Sequence, residues 1–415
     1  MLPRFEVVAR RRPVALRAPR AAGPVRAPYV AVEAPGTVEL TLAGGPVTLT
    51  ATFDGRVALH VTTDGRTTTH RSRRSGRPDG PVEAVALTLT GPVVTAFTRE
   101  AGAWVARSRF DLTERHDVHD ETWLTRLTSS HELGPFGQLG LRDLRFVSRA
   151  DGSPYERDGR LLLTATSAGP GGFPTGHCSV WSLEPESLEL EHRADLFVRR
   201  GRDHGVYGDH AAHLLRDGER WLLAASTWGD FDRHERPVGV VLAESTEDLT
   251  RGVHVLDGRP LLLPTDGFRS VGQWDPHLVR SDAEWLVGYV SATRYFRFHP
   301  VLAAGPNLDS LVLRAVAEGH RETEGTTLAR LDGPDGEWRV LAGDKHRQRY
   351  PVVDLDLREI GRLDAFYPTN IPWPTLAALE RQSLLVGFNG APYGGRLVGY
   401  GSHGEVVLQR ASRTP

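Results

Sequence analysis

A single cysteine, Cys178, and a single lysine, Lys345, occur in 415 residues. One thiol excludes an intrachain disulfide, and the Cys/His spacing of a structural zinc site is missing. Cys178 therefore reads as a small buried hydrophobe. The other basic residues are arginines scattered along the whole chain, and no function attaches to their excess. Surplus charge of either sign is also lacking: 50 basic residues face 52 acidic ones, for a net charge of -2. That balance leaves no electrostatic footprint for nucleic acid or for an anionic membrane, and it suits a neutral small molecule or glycan better. No stretch approaches the ~18 consecutive apolar residues of a membrane span. A basic patch at Arg10, Arg11 and Arg12 is not followed by the apolar run of about 7 to 15 residues that a secretory leader needs, so a cytoplasmic location is expected. Nothing in the composition fixes an oligomeric state.

What the chain does have is strand patterning. Between Tyr29 and Phe110, alternating segments such as Val47 to Phe53, Val57 to Thr62, Val82 to Thr90 and Trp104 to Phe110 are punctuated by Gly44-Gly45, Asp54-Gly55, Asp64-Gly65 and Asp79-Gly80. Period-two apolarity with Asp-Gly turns predicts antiparallel strands in a β-sandwich-like domain. Leu112 to Glu132, charged and rich in histidine, reads as a linker. Its His116, Asp117, His119 and Asp120 fit a solvated segment better than a metal site. The expected division is 1-125 for the sandwich and linker, then 126-415 for the second domain.

From about Leu141 onward a strand repeats in pattern: Arg160-Leu-Leu-Leu-Thr-Ala-Thr, Arg220-Trp-Leu-Leu-Ala-Ala-Ser, Glu284-Trp-Leu-Val-Gly-Tyr-Val, Glu337-Trp-Arg-Val-Leu-Ala-Gly and Gln382-Ser-Leu-Leu-Val-Gly-Phe. A strand-only unit repeated five times predicts a five-bladed β-propeller, and with it an all-β chain. The innermost strand of each blade lines a shared channel, so residues opening those strands should meet at one mouth. The openings read as Asp143-Leu-Arg-Phe, Asp209-His-Ala-Ala-His-Leu, Asp275-Pro-His-Leu, Glu324-Gly-Thr-Thr-Leu and Asn370-Ile-Pro-Trp-Pro. Any one of these carboxylates alone would be an ordinary turn residue. Carboxylates recurring around one cavity cost free energy through repulsion, which points to chemistry. Glycoside hydrolysis needs such a set: one carboxyl protonated to assist the leaving oxygen, one ionised to activate water or attack, and further charge to tune the acid.

Arg142-Asp143, Trp274-Asp275-Pro276 and Glu324-Gly325 resemble the Asp, Asp and Glu motifs of the five-bladed arabinanase and β-xylosidase glycosidases (glycoside hydrolase family 43-like), and more distantly those of the invertase and levansucrase group. The resemblance spans the chain from Leu141 onward. It implies Asp143 as general base, Asp275 as the residue that tunes the acid, and Glu324 as general acid. Trp274 and Gly325 stand where the invertase pattern has Arg and Cys, which places the chain nearer the arabinanase group and favours inversion. Arg142, Asp209, His210, Trp274, His277, Tyr367, Asn370 and Trp373 are the expected substrate-binding residues, since aromatic faces and Arg or Asn donors suit sugar rings. No cofactor is expected, and an axial cation such as calcium is compatible with oxygen ligands. Two other readings stay open: a glycan-binding propeller without catalysis, and a phosphorylase, transglycosylase, lyase or cyclase on the same scaffold. An anion site at His346, Arg347 or Arg349 would mark phosphorolysis.

Overall fold

The computed structural model describes residues 4–18, 25–36, 39–201, 205–282, 284–331, 335–379, 382–393, 399 and 404–412. Among them, one helical turn, Glu121–Leu124, and one 3-10 turn, Phe173–Thr175, interrupt an otherwise all-β chain.

The amino-terminal region forms two five-stranded sheets. One runs in the order Thr128–Ser129, Glu39–Gly44, Val47–Phe53, Val57–Thr63 and Arg66–His70; the other runs Leu133–Pro135, Tyr29–Pro35, Ala84–Thr90, Val93–Glu100 and Ala103–Asp111. Burial alternates along Val47–Phe53, so one face of its sheet is apolar. Leu42, Leu49 and Leu59 from the first sheet meet Val32, Leu87 and Val94 from the second in a shared core. The Asp64-Gly65 turn joins the paired residues Thr63 and Arg66 with φ of 50° and 75°. That left-handed pair is the tight hairpin which the Asp-Gly signal predicts.

Leu112 to Glu132 is a packed segment rather than a linker. Leu112, Val118, Trp123, Leu124 and Leu127 enter the same core, and Trp123 Nε1 donates to Gly44 O at 2.8 Å. Asp120 caps the helical turn by accepting from Thr122 N at 2.8 Å. His119 stacks on Tyr207 with ring centroids 4.4 Å apart, and its Nδ1 lies 2.8 Å from Val206 O. The apolar residues are too widely spaced among charges to show a periodic stripe, which hid this segment's burial.

The rest of the chain is built from four-stranded antiparallel runs. Leu141–Phe146, Arg160–Ser167, His177–Leu183 and Leu190–Arg200 form one; His210–Asp217, Arg220–Ser226, Val240–Ser245 and Gly252–Pro260 form another, and parallel pairing of the two last strands joins both runs into an 11-stranded sheet. The short strands Ser148–Arg149, Glu156–Arg157 and Gly205–Tyr207 supply the other three members of that sheet. Gln273–Ser281, Glu284–Arg294, Arg297–Gly305 and Val312–Val316 make a separate four-stranded sheet, as do Thr323–Arg330, Trp338–Asp344, Pro351–Val353 and Glu359–Arg362. The recurrent apolar segments of the sequence are the second strands of these runs. Their first strands pack side by side around a channel, and Phe146 N donates to Thr375 Oγ1 at 3.0 Å, bringing the last run against the first. The arrangement is that of a β-propeller.

The final sheet departs from the expected division at residue 125. It consists of Thr375–Ala378, Gln382–Asn389 and Glu405–Ser412, completed by Glu6–Arg11 from the start of the chain. Glu6 pairs with Arg410 and Arg11 with Val406, so the amino-terminal strand belongs to this sheet. Strand propensity shows that a segment wants a partner, not which one, and the partner here lies almost the whole chain away.

Candidate active site

Four first strands share a local irregularity that sets the site. Register shifts fall between Arg142 and Arg145, His210 and His213, Trp274 and His277, and Glu324 and Thr327. Each shift contains a left-handed residue: Asp143 (φ 52°), Ala211 (φ 53°), Asp275 (φ 57°) and Gly325 (φ 72°). A bulge of this kind turns one side chain out of the ladder's alternation and bends the strand, the usual device for re-aiming a residue beside a cavity. Gly325 has no alternative, because a Cβ there would stand 2.4 Å from Trp373 Cγ.

The bulges correct the alignment read from the sequence. Asp143 and Asp275 are equivalent to each other, whereas Glu324 lies one position earlier, level with Arg142, His210 and Trp274. Asp209 lies outside the bulge altogether. It is buried in an ion pair, with Arg200 Nε 2.6 Å from its Oδ2 and Arg200 Nη2 3.0 Å from its Oδ1. Gly229 N also donates to it at 3.1 Å, so Asp209 braces a loop and does not face the funnel.

Asp143, Asp275 and Glu324 are close enough to perturb one another. Gly325 N donates to Asp275 Oδ2 at 3.2 Å, tying Asp275 to the residue beside Glu324. Burial, then the charges of Glu324 and Asp143, push the Asp275 carboxyl well above the usual carboxylate range, while Arg145 and the Gly325 N–H pull it back. Burial and the Asp143 charge raise Glu324 to about 7, against the pull of Arg142, Trp274 and Trp373. Groups coupled this way titrate as a cluster and retain protons at neutral pH. Arg142 Nε stands 3.9 Å from Asp143 Oδ1.

Beneath the carboxylates lies a polar axis that the sequence reading missed. Arg145, fully buried, donates from Nη1 to Thr327 Oγ1 at 2.9 Å and from Nη2 to the Asp275 carbonyl at 3.0 Å. Its guanidinium lies over the Trp373 ring, 4.5 Å from the centroid. Burial lowers Arg145 to about 10, opposed by the charges of Asp275 and Asp143. Level with Arg145 are His213 and His277, stacked at 4.2 Å. Their Nδ1 atoms accept from Leu278 N at 3.1 Å and Leu328 N at 3.2 Å, and burial holds both rings well below the usual imidazole range. His277 is therefore a neutral channel residue rather than a wall of the funnel. Its place two residues past the bulge accounts for the difference.

Above the carboxylates opens a funnel of about 860 Å³. Of the expected residues, Glu324, Arg142, Trp274 and Asn370 line it. Trp373 is buried behind Gly325. Tyr367 donates from its hydroxyl to Asn370 O at 3.2 Å and packs on Tyr350 at 5.0 Å, behind the lining. Buried His210 has its Nδ1 3.0 Å from Gly208 O, and burial lowers its ring below the usual range. His346, Arg347 and Arg349 are absent from the lining; His346 Nε2 is 3.0 Å from Glu322, and both arginines pair with Glu359. Lys345, which lines the funnel, pairs with Glu322.

One wall of the funnel is aromatic. Phe173 stacks on Trp228 at 4.6 Å, Trp228 lies 5.5 Å from Trp274, and Trp274 stacks on Tyr295 at 6.4 Å and meets Phe298 edge-on at 5.3 Å. Only Trp274 was anticipated. Phe173, Trp228 and Tyr295 sit in loops and a hairpin tip, where no repeat pattern marks them, and Phe298 lies near the start of a third strand.

A β-propeller whose first strands bring Asp143, Asp275 and Glu324 together, with Glu324 lining one funnel and Asp143 and Asp275 buried beside it, is the class of structure in hand. No family model matches the sequence, and no curated protein matches it. Among solved structures it is similar to the Bombyx mori GH32 β-fructofuranosidase, at 14% identity over 65% of this chain and 60% of that one, with a TM-score of 0.47. The chain thus spans 60% of the length of that enzyme. It is also similar to the GH43_1 enzyme from Xanthomonas citri complexed with xylose, at 12% identity over 65% and 87% with a TM-score of 0.44. A third similar structure is Bacillus subtilis levansucrase, at 7% identity over 66% and 84% with a TM-score of 0.47. The two glycosidase groups named from the short motifs are thus both among the similar structures.

Proposed function

We propose that the chain is a carbohydrate-active enzyme, a glycoside hydrolase built as a five-bladed β-propeller behind an amino-terminal β-sandwich. The observation that carries this reading is the convergence of Glu324, raised to about 7, with Asp143 and Asp275 beneath one open funnel. A carboxylic acid still protonated near neutrality can donate to a leaving oxygen, and an ionised neighbour can take a proton from water.

In this reading Glu324 gives its proton to the glycosidic oxygen as the bond to the anomeric carbon breaks. Asp143 removes a proton from a water that attacks the same carbon from the opposite face, so the anomer inverts. Asp275, held by the Gly325 N–H, positions the strand that carries Glu324, while burial and the Asp143 charge keep Glu324 protonated. Solvent exchange then returns the Glu324 proton and removes the one on Asp143.

The test is a screen of wild type against aryl and alkyl glycosides of pentoses and hexoses, followed by variants on whichever sugar is cleaved. Glu324→Gln should lose most activity on alkyl glycosides, roughly 10²–10⁴-fold, and retain much of it on 4-nitrophenyl glycosides, which need no proton. Asp143→Asn should impair both. Product anomer by NMR reports the stereochemistry, and full activity in Asp143→Asn would overturn the site.

A further inference from the structure

The hairpin between Glu284–Arg294 and Arg297–Gly305 turns in two residues, Arg294 pairing with Arg297. Two-residue hairpin turns favour Asn-Gly or Gly-containing pairs because they demand positive φ. Here the turn is Tyr295-Phe296, and Phe296 adopts φ 69°. A left-handed conformation is unfavourable for a bulky residue. Phe296 also remains 79% exposed, so its ring recovers nothing from burial. Both costs fall at the lip of the funnel, which Phe296 lines. Along the same wall Phe173, 36% exposed, continues the apolar surface from its own short turn.

The aromatic wall reaches Glu324 through Trp274, whose side chain acts directly on the Glu324 carboxyl. The cationic side of the funnel reaches the same carboxyl through Arg142. In acid-assisted cleavage the departing group lies against the proton donor. Hydroxyl-rich units need a partner for each hydroxyl, and a run of rings from Trp274 through Tyr295 to Phe296 offers few.

We propose that this wall is the leaving-group subsite of the same carboxylate centre and takes an apolar, planar aglycone in preference to a further sugar. The inference rests on the glycosidase reading. Phe296 and Phe173 close over the flat face of the aglycone, while the Arg142 and Asn370 side holds the sugar to be released.

Three substrates of one sugar separate the possibilities: the methyl glycoside, the 2-naphthylmethyl glycoside and a disaccharide. All three leave as ordinary alcohols, so acid assistance is needed equally and only the aglycone differs. The naphthylmethyl glycoside should exceed the methyl glycoside in kcat/KM by at least about tenfold, mainly through KM. Phe296→Ala should reduce that ratio several-fold. Phe296→Gly should reduce it equally while melting no lower than wild type, because glycine relieves the left-handed turn. Equal kcat/KM for methyl and naphthylmethyl glycosides, or preference for the disaccharide, would overturn the inference and leave the glycosidase reading standing. Failure of wild type to cleave any of the glycosides would overturn that reading and the leaving-group role together.

Discussion

Glu324 trades stability for its proton. Its carboxyl is raised from the usual 4.5 to about 7 in the folded protein, so the native state binds the proton more tightly than the unfolded chain does. Its contribution to stability is fully present below pH ~4.5, falls as pH rises towards 7, and levels off above that, a swing of up to about 3 kcal/mol. Glu324→Gln should remove this swing: urea melts at pH 5 and pH 8 should show the variant gaining on wild type at the higher pH, even as activity is lost. Arg145 works in the opposite sense, its buried guanidinium offsetting the charges of Asp143 and Asp275. Arg145→Met should shift the pH–rate profile to higher pH, because Asp275 loses the cation that draws its carboxyl down. Arg145→Lys should restore part of that shift, an outcome that loss of packing alone would not give. Neither Arg145 nor its relation to Asp275 was legible in the sequence, since Asp143-Leu-Arg-Phe reads equally well as an ordinary strand.

The recurrent bulge is the element that converts strands into a site. Four first strands carry a left-handed residue at one register position, and two of those residues pay differently for it. Gly325 tolerates φ 72° and needs the space beside Trp373, so Gly325→Ala should cost more than about 2 kcal/mol in a urea melt. Ala211 holds φ 53° with a Cβ, and Ala211→Gly should be neutral or stabilising by up to about 1 kcal/mol. The strand repeat itself was legible: Arg160, Arg220, Glu284 and Gln382 each open a second strand, because apolar runs of fixed length leave a pattern. The bulge was not. One extra residue shifts alignment without altering composition, which is why Asp209 was grouped with Asp143 and Asp275 although it lies two residues before its own bulge. The aromatic wall escaped for a related reason, since Phe173, Trp228 and Tyr295 come from three connections whose meeting depends on the closed ring.

At the scale of the whole molecule, the amino-terminal sheets support the funnel. Tyr29, packed against His177 at 4.9 Å and Phe197 at 5.4 Å, donates from its hydroxyl to Pro174 O at 2.7 Å and so holds the turn that carries Phe173. Arg199 grips Glu121 through Nε and Nη2, each at 2.8 Å, across the same junction. The strand Glu6–Arg11 completes the last sheet on the edge of Glu405–Ser412. Deleting residues 1–11 should leave that edge unpaired, lower the melting temperature and promote association through the exposed strand, which light scattering during a thermal ramp would record. The same pairing orders events during synthesis. At about 5–20 residues per second, the ribosome takes roughly 20–80 s to add the chain between the two partners. Throughout that interval the strand Glu6–Arg11 waits without its partner, and Glu405–Ser412 captures it only after all the intervening chain has been made. A nascent chain stalled before Glu405 would therefore already bring Thr375 against Phe146 and still leave that sheet two strands short, so the ring can meet before its last sheet is full.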